Sequence, residues 1–364
     1  MAHLEVLEHS TVYRNPQPNR VSEYVSFPAI LALPDDVLVC MCRHGSARES
    51  DDGRLRIHRS TDGGRTWSHI EFFPEPTEGP AGNRLPGGFG VSPNGDALAW
   101  LCHSGDGKKI DYVSRSRDSG LSWSEPMPVE IEPFSTFGPG GNLVTLADGT
   151  IIAAGEAGSH ATGVKKDHWA SLVTRSTDNG RSWEPVTIAH LTDNPFYLDL
   201  RLTGLRDGRL LASYWTHDMQ TDQGLNVHTA WSPDCGRTWT EPVDARFWGQ
   251  VTDICALQSG RVIAVTNHRR NPLGVRAVLS EDDGATFDEE SHLKLWGVEP
   301  ARIRSAPTLA PRRDVVEDVL ASYHHFTFGT PSVTQLADGT VVAAFYVTEE
   351  SVTYVRCCRI VERE

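Results

Sequence analysis

Short apolar runs broken by tight polar turns fill the chain from end to end. Twelve of them form six pairs, each around a turn: AILALPDDVLVCMC (29–42), FGVSPNGDALAWLC (89–102), LVTLADGTIIAAG (143–155), LTGLRDGRLLASYW (202–215), ICALQSGRVIAVTN (254–267) and SVTQLADGTVVAAFYV (332–347). Apolar and β-branched runs flanking Asp-Gly or Asn-Gly predict β-hairpins. No stretch carries the three-to-four-residue apolar spacing of a long amphipathic helix.

A second pattern follows five of the hairpins. RSTDGGRTW (59–67), RSRDSGLSW (115–123), RSTDNGRSW (175–183), WSPDCGRTW (231–239) and a worn LSEDDGATF (279–287) are one turn repeated. Their aspartates, Asp62, Asp118, Asp178, Asp234 and Asp282, are spaced by 56, 60, 56 and 48 residues. Each unit therefore reads as strand, hairpin turn, strand, loop, strand, box, strand. A four-stranded antiparallel unit recurring about every 55 residues predicts a propeller blade. After the sixth hairpin only VTYVRCCRIV (352–361) remains, so that blade needs a strand from elsewhere, and HLEVLEH (3–9) can supply it. The expected fold is all-β: one six-bladed propeller domain over 1–364, closed by an N-terminal strand, with an insertion at about 288–322 before the last blade. The box explains itself mechanically, since an aspartate can accept the N–H groups of its own turn, a glycine supplies a positive φ and a tryptophan packs. Five copies of a turn suit a scaffold better than an active site.

S-x-D-x-G-x-T-W after a hairpin, five times in six units, resembles the Asp-box (bacterial neuraminidase repeat) of the sialidase superfamily, and the likeness runs over essentially the whole chain. It implies a six-bladed propeller and a carbohydrate-active protein. In sialidases three arginines clamp the substrate carboxylate, a tyrosine–glutamate pair is the nucleophile and an aspartate is the acid/base. The place of the first arginine is held here by Ser26. The place of the tyrosine falls on Phe328, Gly329 and Thr330. The place of the glutamate holds Asp199, and the acid/base aspartate falls on Asp51 or Asp52.

The hairpin turns and the boxes should share one end of the ring, which leaves the other end for function. Counting eight residues on from the second turn residue lands on His44, His103 and His268; His217 comes one residue later and Glu156 one earlier. Imidazoles at one height could act as acid, base or ligand. Beside them stand Arg43, Arg201, Arg269 and Arg270, with Arg302 and Arg304 in the insertion, and guanidinium groups suit carboxylates. Tyr197, Trp215 and Trp248 can stack on a sugar or simply pack.

Charge and composition narrow the class. A net charge of -14 opposes nucleic acid or an anionic membrane as partner, and no apolar run nears the ~20 residues of a membrane span. The N-terminus lacks a signal-peptide pattern, and seven cysteines without a C-x-x-C pair read as core thiols, so a reducing cytoplasm is expected. No cofactor or metal is called for. The sequence thus supports an exo-acting glycoside hydrolase on an acidic sugar. Its catalytic groups would come from Asp51, Asp52, Asp199, His44 and His217. Substrate contacts would come from Arg43, Arg201, His103, His268, Arg269, Tyr197 and Trp215. Two alternatives stay open: a histidine-using lyase acting on a uronate-containing glycan, and a non-catalytic propeller that binds glycan or protein.

Overall fold

The computed structural model describes residues 2–48, 50–75, 82–105, 108–130, 132–134, 137–138, 140–157, 168–297 and 328–364. Among these residues there is no helix; the chain forms six antiparallel sheets. Strand β1 (His3–Tyr13) stands apart in sequence from the sheet it joins. Blade 1 is β2 (Tyr24–Ala32), β3 (Leu38–Gly45), β4 (Arg54–Ser60) and β5 (Ser68–Phe72). Blade 2 is β6 (Asn83–Val91), β7 (Ala97–Gly105), β8 (Lys108–Ser116) and β9 (Met127–Pro128). Blade 3 is β10 (Val144–Thr145), β11 (Ile151–Ala157), β12 (Trp169–Ser176) and β13 (Thr187–Thr192). Blade 4 is β14 (Phe196–Gly204), β15 (Leu210–Asp218), a short β16 (Gln223–Gly224), β17 (Asn226–Ser232) and β18 (Val243–Trp248). Blade 5 is β19 (Thr252–Ala256), β20 (Val262–His268), β21 (Gly274–Ser280) and β22 (Leu293–Gly297). Blade 6 is β23 (Phe328–Gln335), β24 (Val341–Glu349) and β25 (Val352–Arg363), completed by β1.

The closing strand is where the sequence places it, paired antiparallel with β25 from His3 opposite Arg363 to Tyr13 opposite Val355. Residues 293–297 of the expected insertion are β22, the outer strand of blade 5. The rest of that insertion from residue 298 on, with Arg302 and Arg304, lies outside the described residues.

Among the described residues six large apolar slabs make the core, each filled from two adjacent blades, with a smaller cluster around Trp215 beside them. Trp100, Phe137 and Ile151 join blades 2 and 3, for example, and Val12, Cys40, Val342 and Cys357 join blades 6 and 1. The boxes fix the spacing between neighbours. In all five, the serine two residues before the aspartate donates to it and accepts the N–H of the box glycine. The aspartate accepts the N–H and the hydroxyl of the Thr or Ser four residues on. The box glycine sits at positive φ, and in Gly284 a Cβ would come within 2.4 Å of Leu211 on the preceding blade. Glycine is thus required twice over, by conformation and by contact.

Each box abuts the hairpin turn of the blade before it. Ser119 donates to Asp35, and Arg209 reaches Asp283 at 2.7 Å. Boxes and hairpin turns therefore share one end, and the second-to-third-strand loops share the other. Along the axis, side chains of one innermost strand cap the free edge of the next. Ile30 N–H donates to Ser332, Ala256 N–H to Thr203 and Val333 N–H to Asp253, at 3.0–3.1 and 2.8 Å. That removes exposed edges at the centre of the ring.

Candidate active site

The innermost strands are irregular at the end away from the boxes. Register breaks fall between Ser26 and Ala29, Leu198 and Arg201, and Gly329 and Ser332. In these three blades one residue of each bulge takes a positive φ: Phe27 (51°), Asp199 (50°) and Thr330 (45°). All three lie nine residues before the left-handed residue of the following hairpin turn, at Asp36, Gly208 and Gly339. Bulges re-aim side chains and free backbone groups, and strain of this kind collects at working sites.

Blades 3 and 4 use that freedom. The Asp199 N–H, released from the ladder, donates to Glu156 Oε2 at 2.6 Å, and Trp169 Nε1–H donates to the same oxygen at 3.2 Å. Burial and the nearby Asp199 carboxylate push the Glu156 carboxyl well above its ordinary value. Arg201 Nη2 holds Asp199 Oδ1 at 3.3 Å, with Asp199 about one quarter exposed. The Arg201 side chain passes Gly141 so closely that a Cβ there would meet Cδ at 2.7 Å. The FGPGGN stretch of blade 3 is glycine-rich for that approach.

Blades 5 and 6 continue the arc. Arg269 donates to Gln250 Oε1 at 2.6 Å and to the Phe328 carbonyl at 3.1 Å. Asn267 and Arg269 crowd Gly329, where a Cβ would lie 2.7 Å from Asn267 Nδ2. Asp253 is sealed, and burial raises its carboxyl against the opposing field of Arg201. Among the described residues, Ser26 Oγ, Arg201 Nε, both amide atoms of Asn267 and Thr330 Oγ1 are buried without a protein hydrogen-bond partner. Buried polar atoms are normally satisfied, so this arc offers donors and acceptors to something else. In blade 1 the guanidinium of Arg48 lies 5.2 Å from the Phe27 ring centroid, on the loop beside the place where Ser26 stands for an arginine.

The structure brings together Asp199 and Arg201, with Glu156 beside them, while Arg269 is held on blades 5 and 6 by Gln250 and the Phe328 carbonyl. Other expected residues have local work. Arg43 is fully buried and spends its guanidinium on Asn83 (2.6 Å) and on the carbonyls of Ala47 and Ser50 (2.8 and 2.6 Å), so it shapes the 46–53 loop. Asp52 accepts the Ser46 N–H at 3.0 Å and closes the same loop, while Asp51 is exposed on it. His44 has both ring nitrogens engaged, by Glu23 at 2.8 Å and His58 at 3.2 Å. His217 faces Asp222 at 3.2 Å. His103 packs on Tyr112, and burial with Arg84 lowers it to about 4. His268 lies edge-on to Trp248 and close to the carbonyls of Arg270 and Pro272. Tyr197 packs on Tyr214, and Trp215 is sealed among Trp169, Phe196 and Leu198. The equal height of the histidines is real along the strands, but their rings go to separate neighbours.

Glu156 and Arg48 are the residues that sequence reasoning passed over. Glu156 carried a signal, one residue off the histidine register; Arg48 carried none.

Five boxes, six four-stranded blades and an axial arc of acids and arginines define a six-bladed Asp-box propeller of the sialidase superfamily. The chain belongs to the BNR repeat-like domain family, whose model matches residues 88–343. A sialidase of Bacteroides fragilis (strain YCH46) is 25% identical over 205 residues, covering 49% of this chain and 37% of that protein. This chain thus spans little more than a third of that relative. Among solved structures, a Dyadobacter fermentans protein of unknown function superposes with a TM-score of 0.72 at 19% identity, covering 99% of both chains. The Hadza microbial sialidase Hz136 superposes with a TM-score of 0.69 at 16% identity, covering 96% of this chain and 68% of that one.

Proposed function

We propose that the protein is a carbohydrate-active enzyme, an exo-acting glycoside hydrolase that takes a terminal acidic sugar over the axis of the ring. The observation that carries this reading is the Glu156–Asp199–Arg201 group. A carboxyl held toward its neutral form stands beside a carboxylate held by a guanidinium. A raised carboxyl beside a second carboxyl paired with a guanidinium can divide the work of glycoside cleavage, the first as acid and the second as its partner. Glu156 would give its proton to the leaving oxygen. Asp199 would stabilise the developing positive charge or attack. Arg201, Arg269 and Arg48 would receive the sugar's carboxylate. The sialidase names of two relatives support an acidic sugar. With Phe328, Gly329 and Thr330 where sialidases place a tyrosine, a tyrosyl nucleophile from β23 is excluded.

The test is release of free sugar from sialosides and uronosides, measured on natural glycans and on aryl glycosides with good leaving groups. Glu156→Gln should lower turnover of the natural glycan by ~10²–10⁴-fold, but spare the aryl glycoside, whose leaving group needs no proton. Asp199→Asn should depress both. An acid works only while protonated, so activity should fall as pH rises through the raised Glu156 value. Full activity of both variants would overturn the assignment. Formation of an unsaturated uronate in place of a hydrolysed sugar would favour the lyase.

A further inference from the structure

The strand that closes the ring leaves blade 6 at Tyr13 and enters blade 1 at Tyr24, and the segment between them is folded on itself. Asn15, nearly buried, accepts the Gln17 N–H at 2.9 Å and donates to the Val21 carbonyl at 2.7 Å. The Gln17 carbonyl accepts the N–H groups of Arg20 and Val21 at 3.0 and 2.9 Å. Ser22 donates to the Ser46 carbonyl at 3.2 Å and so ties the segment to blade 1. Opposite stands the β24–β25 turn, where Glu350 and Ser351 both take positive φ. Between these walls lies a cavity of about 320 Å³ lined by Asn19, Arg20, Glu23, Tyr24, Ser46 and Ser351, among others.

We propose that this cavity is a second carbohydrate site, separate from the axial arc, which holds one uncharged sugar ring. Three observations converge. The volume is at the small end of ligand pockets, which run from ~300 Å³ upward, and so fits a single ring. The walls mix hydroxyls, amides and one phenol ring, and one guanidinium balances one carboxylate, so hydroxyl groups are matched as donors and acceptors while a net charge is not. The site is also preformed. The Glu23 carboxylate, which lines the cavity, is fixed by Tyr13 O–H at 2.9 Å and His44 at 2.8 Å, one on each oxygen, and each oxygen keeps a lone pair that a hydroxyl can use. Ser46 and Ser351 belong to loops on the end away from the boxes, the end that carries the axial arc. A glycan engaged there can rest a neutral residue here.

The inference rests on the carbohydrate reading for its choice of ligand, and its test separates the two. Saturation-transfer NMR with galactose, N-acetylglucosamine and glucuronate would be run on the protein and on two variants, Asn19→Trp and Asp199→Asn. Asn19 is exposed, so a tryptophan there fills the cavity without entering the core, and an unchanged melting curve checks the fold. A neutral sugar should bind the native protein and Asp199→Asn alike, and lose affinity about tenfold or more in Asn19→Trp. The inference is overturned if no neutral sugar binds, if Asn19→Trp binds as before, or if glucuronate alone is taken. Loss of binding in Asp199→Asn with retention in Asn19→Trp would assign the sugar to the axial arc and sink the second site. Hydrolysis without neutral-sugar binding would leave the proposed function standing alone.

Discussion

Asp111 shows how one residue can set the protein's response to pH. It sits on β8 with no exposed surface, one oxygen taking the Trp100 indole N–H at 2.8 Å and the other without a partner. Burial pushes its carboxyl up to about 6, with Trp100 and Lys109 opposing. A carboxyl with a raised folded-state value favours the folded chain while protonated. Stability therefore falls as pH rises from the ordinary carboxyl value to about 6, and stays lower above it. The span corresponds to roughly 3 kcal/mol at ~1.4 kcal/mol per pH unit. Asp111→Asn keeps the acceptor for Trp100 and cannot ionise. Its melting temperature at pH 8 should exceed that of the native protein, and the gap should close by pH 4. A gap that persists at pH 4 would mean that packing, not ionisation, controls this position.

At the scale of elements, two devices meet acid in opposite structural ways but with the same sign. Burial alone would raise the box carboxyls, yet hydrogen bonds from each turn hold Asp62 and Asp178 at about 2. Their contribution is complete above the ordinary carboxyl value and is lost as pH falls toward 2. These groups are half-buried and still screened by solvent, so the direct loss is better measured by removal. Asp234→Ala should cost about 1–2 kcal/mol, on the scale of a lost helix cap, and should cost no activity beyond that of a less stable fold. The second device is a chain of imidazoles in blade 1. His44 Nε2 meets His58 Nε2 at 3.2 Å, and His58 Nδ1 meets His69 Nδ1 at 3.0 Å. Tyr13 from β1 lies against all three rings, with Glu23 at one end and Arg56 over Tyr13. Burial lowers all three histidines, His58 most. A lowered imidazole destabilises the fold as pH drops below about 6.5, where the unfolded chain takes up protons first. These histidines should therefore pull the melting temperature down between pH 6.5 and 5, before the boxes titrate and against the opposite pull of Asp111. His58→Gln should flatten that limb; a limb unchanged by it would place the acid sensitivity elsewhere.

At the scale of the molecule, what the sequence reveals depends on how local the physics is. Hairpin turns and boxes satisfy their own hydrogen bonds within a few residues, so six blades and a closing strand can be counted from text alone. The pairing of Asp199 with Arg201 is legible in part because both lie at fixed distances from a turn. Arg43 is not legible because its partners, Asn83 and the carbonyls of Ala47 and Ser50, are set by tertiary packing, nor is Glu156, because a bulge on the neighbouring blade decides which N–H it meets. The same distinction governs how the ring holds. Each apolar slab needs two blades, so no blade can bury its faces alone, and the slab between blades 6 and 1 is joined by the chain's two ends. Strand β1 covers the edge of β25, places Val12 in that slab and meets box 1 through Ser10 and Trp67. Deleting residues 2–13 would expose the β25 edge, remove Tyr13 from the histidine chain and leave one slab open. Open edges pair with other chains. The shortened protein should aggregate on expression or melt well below the native protein, whereas Leu7→Lys, at an exposed site on the same strand, should behave as native. A soluble deletion variant with the native melting curve would show that the five remaining slabs hold the ring without its closure.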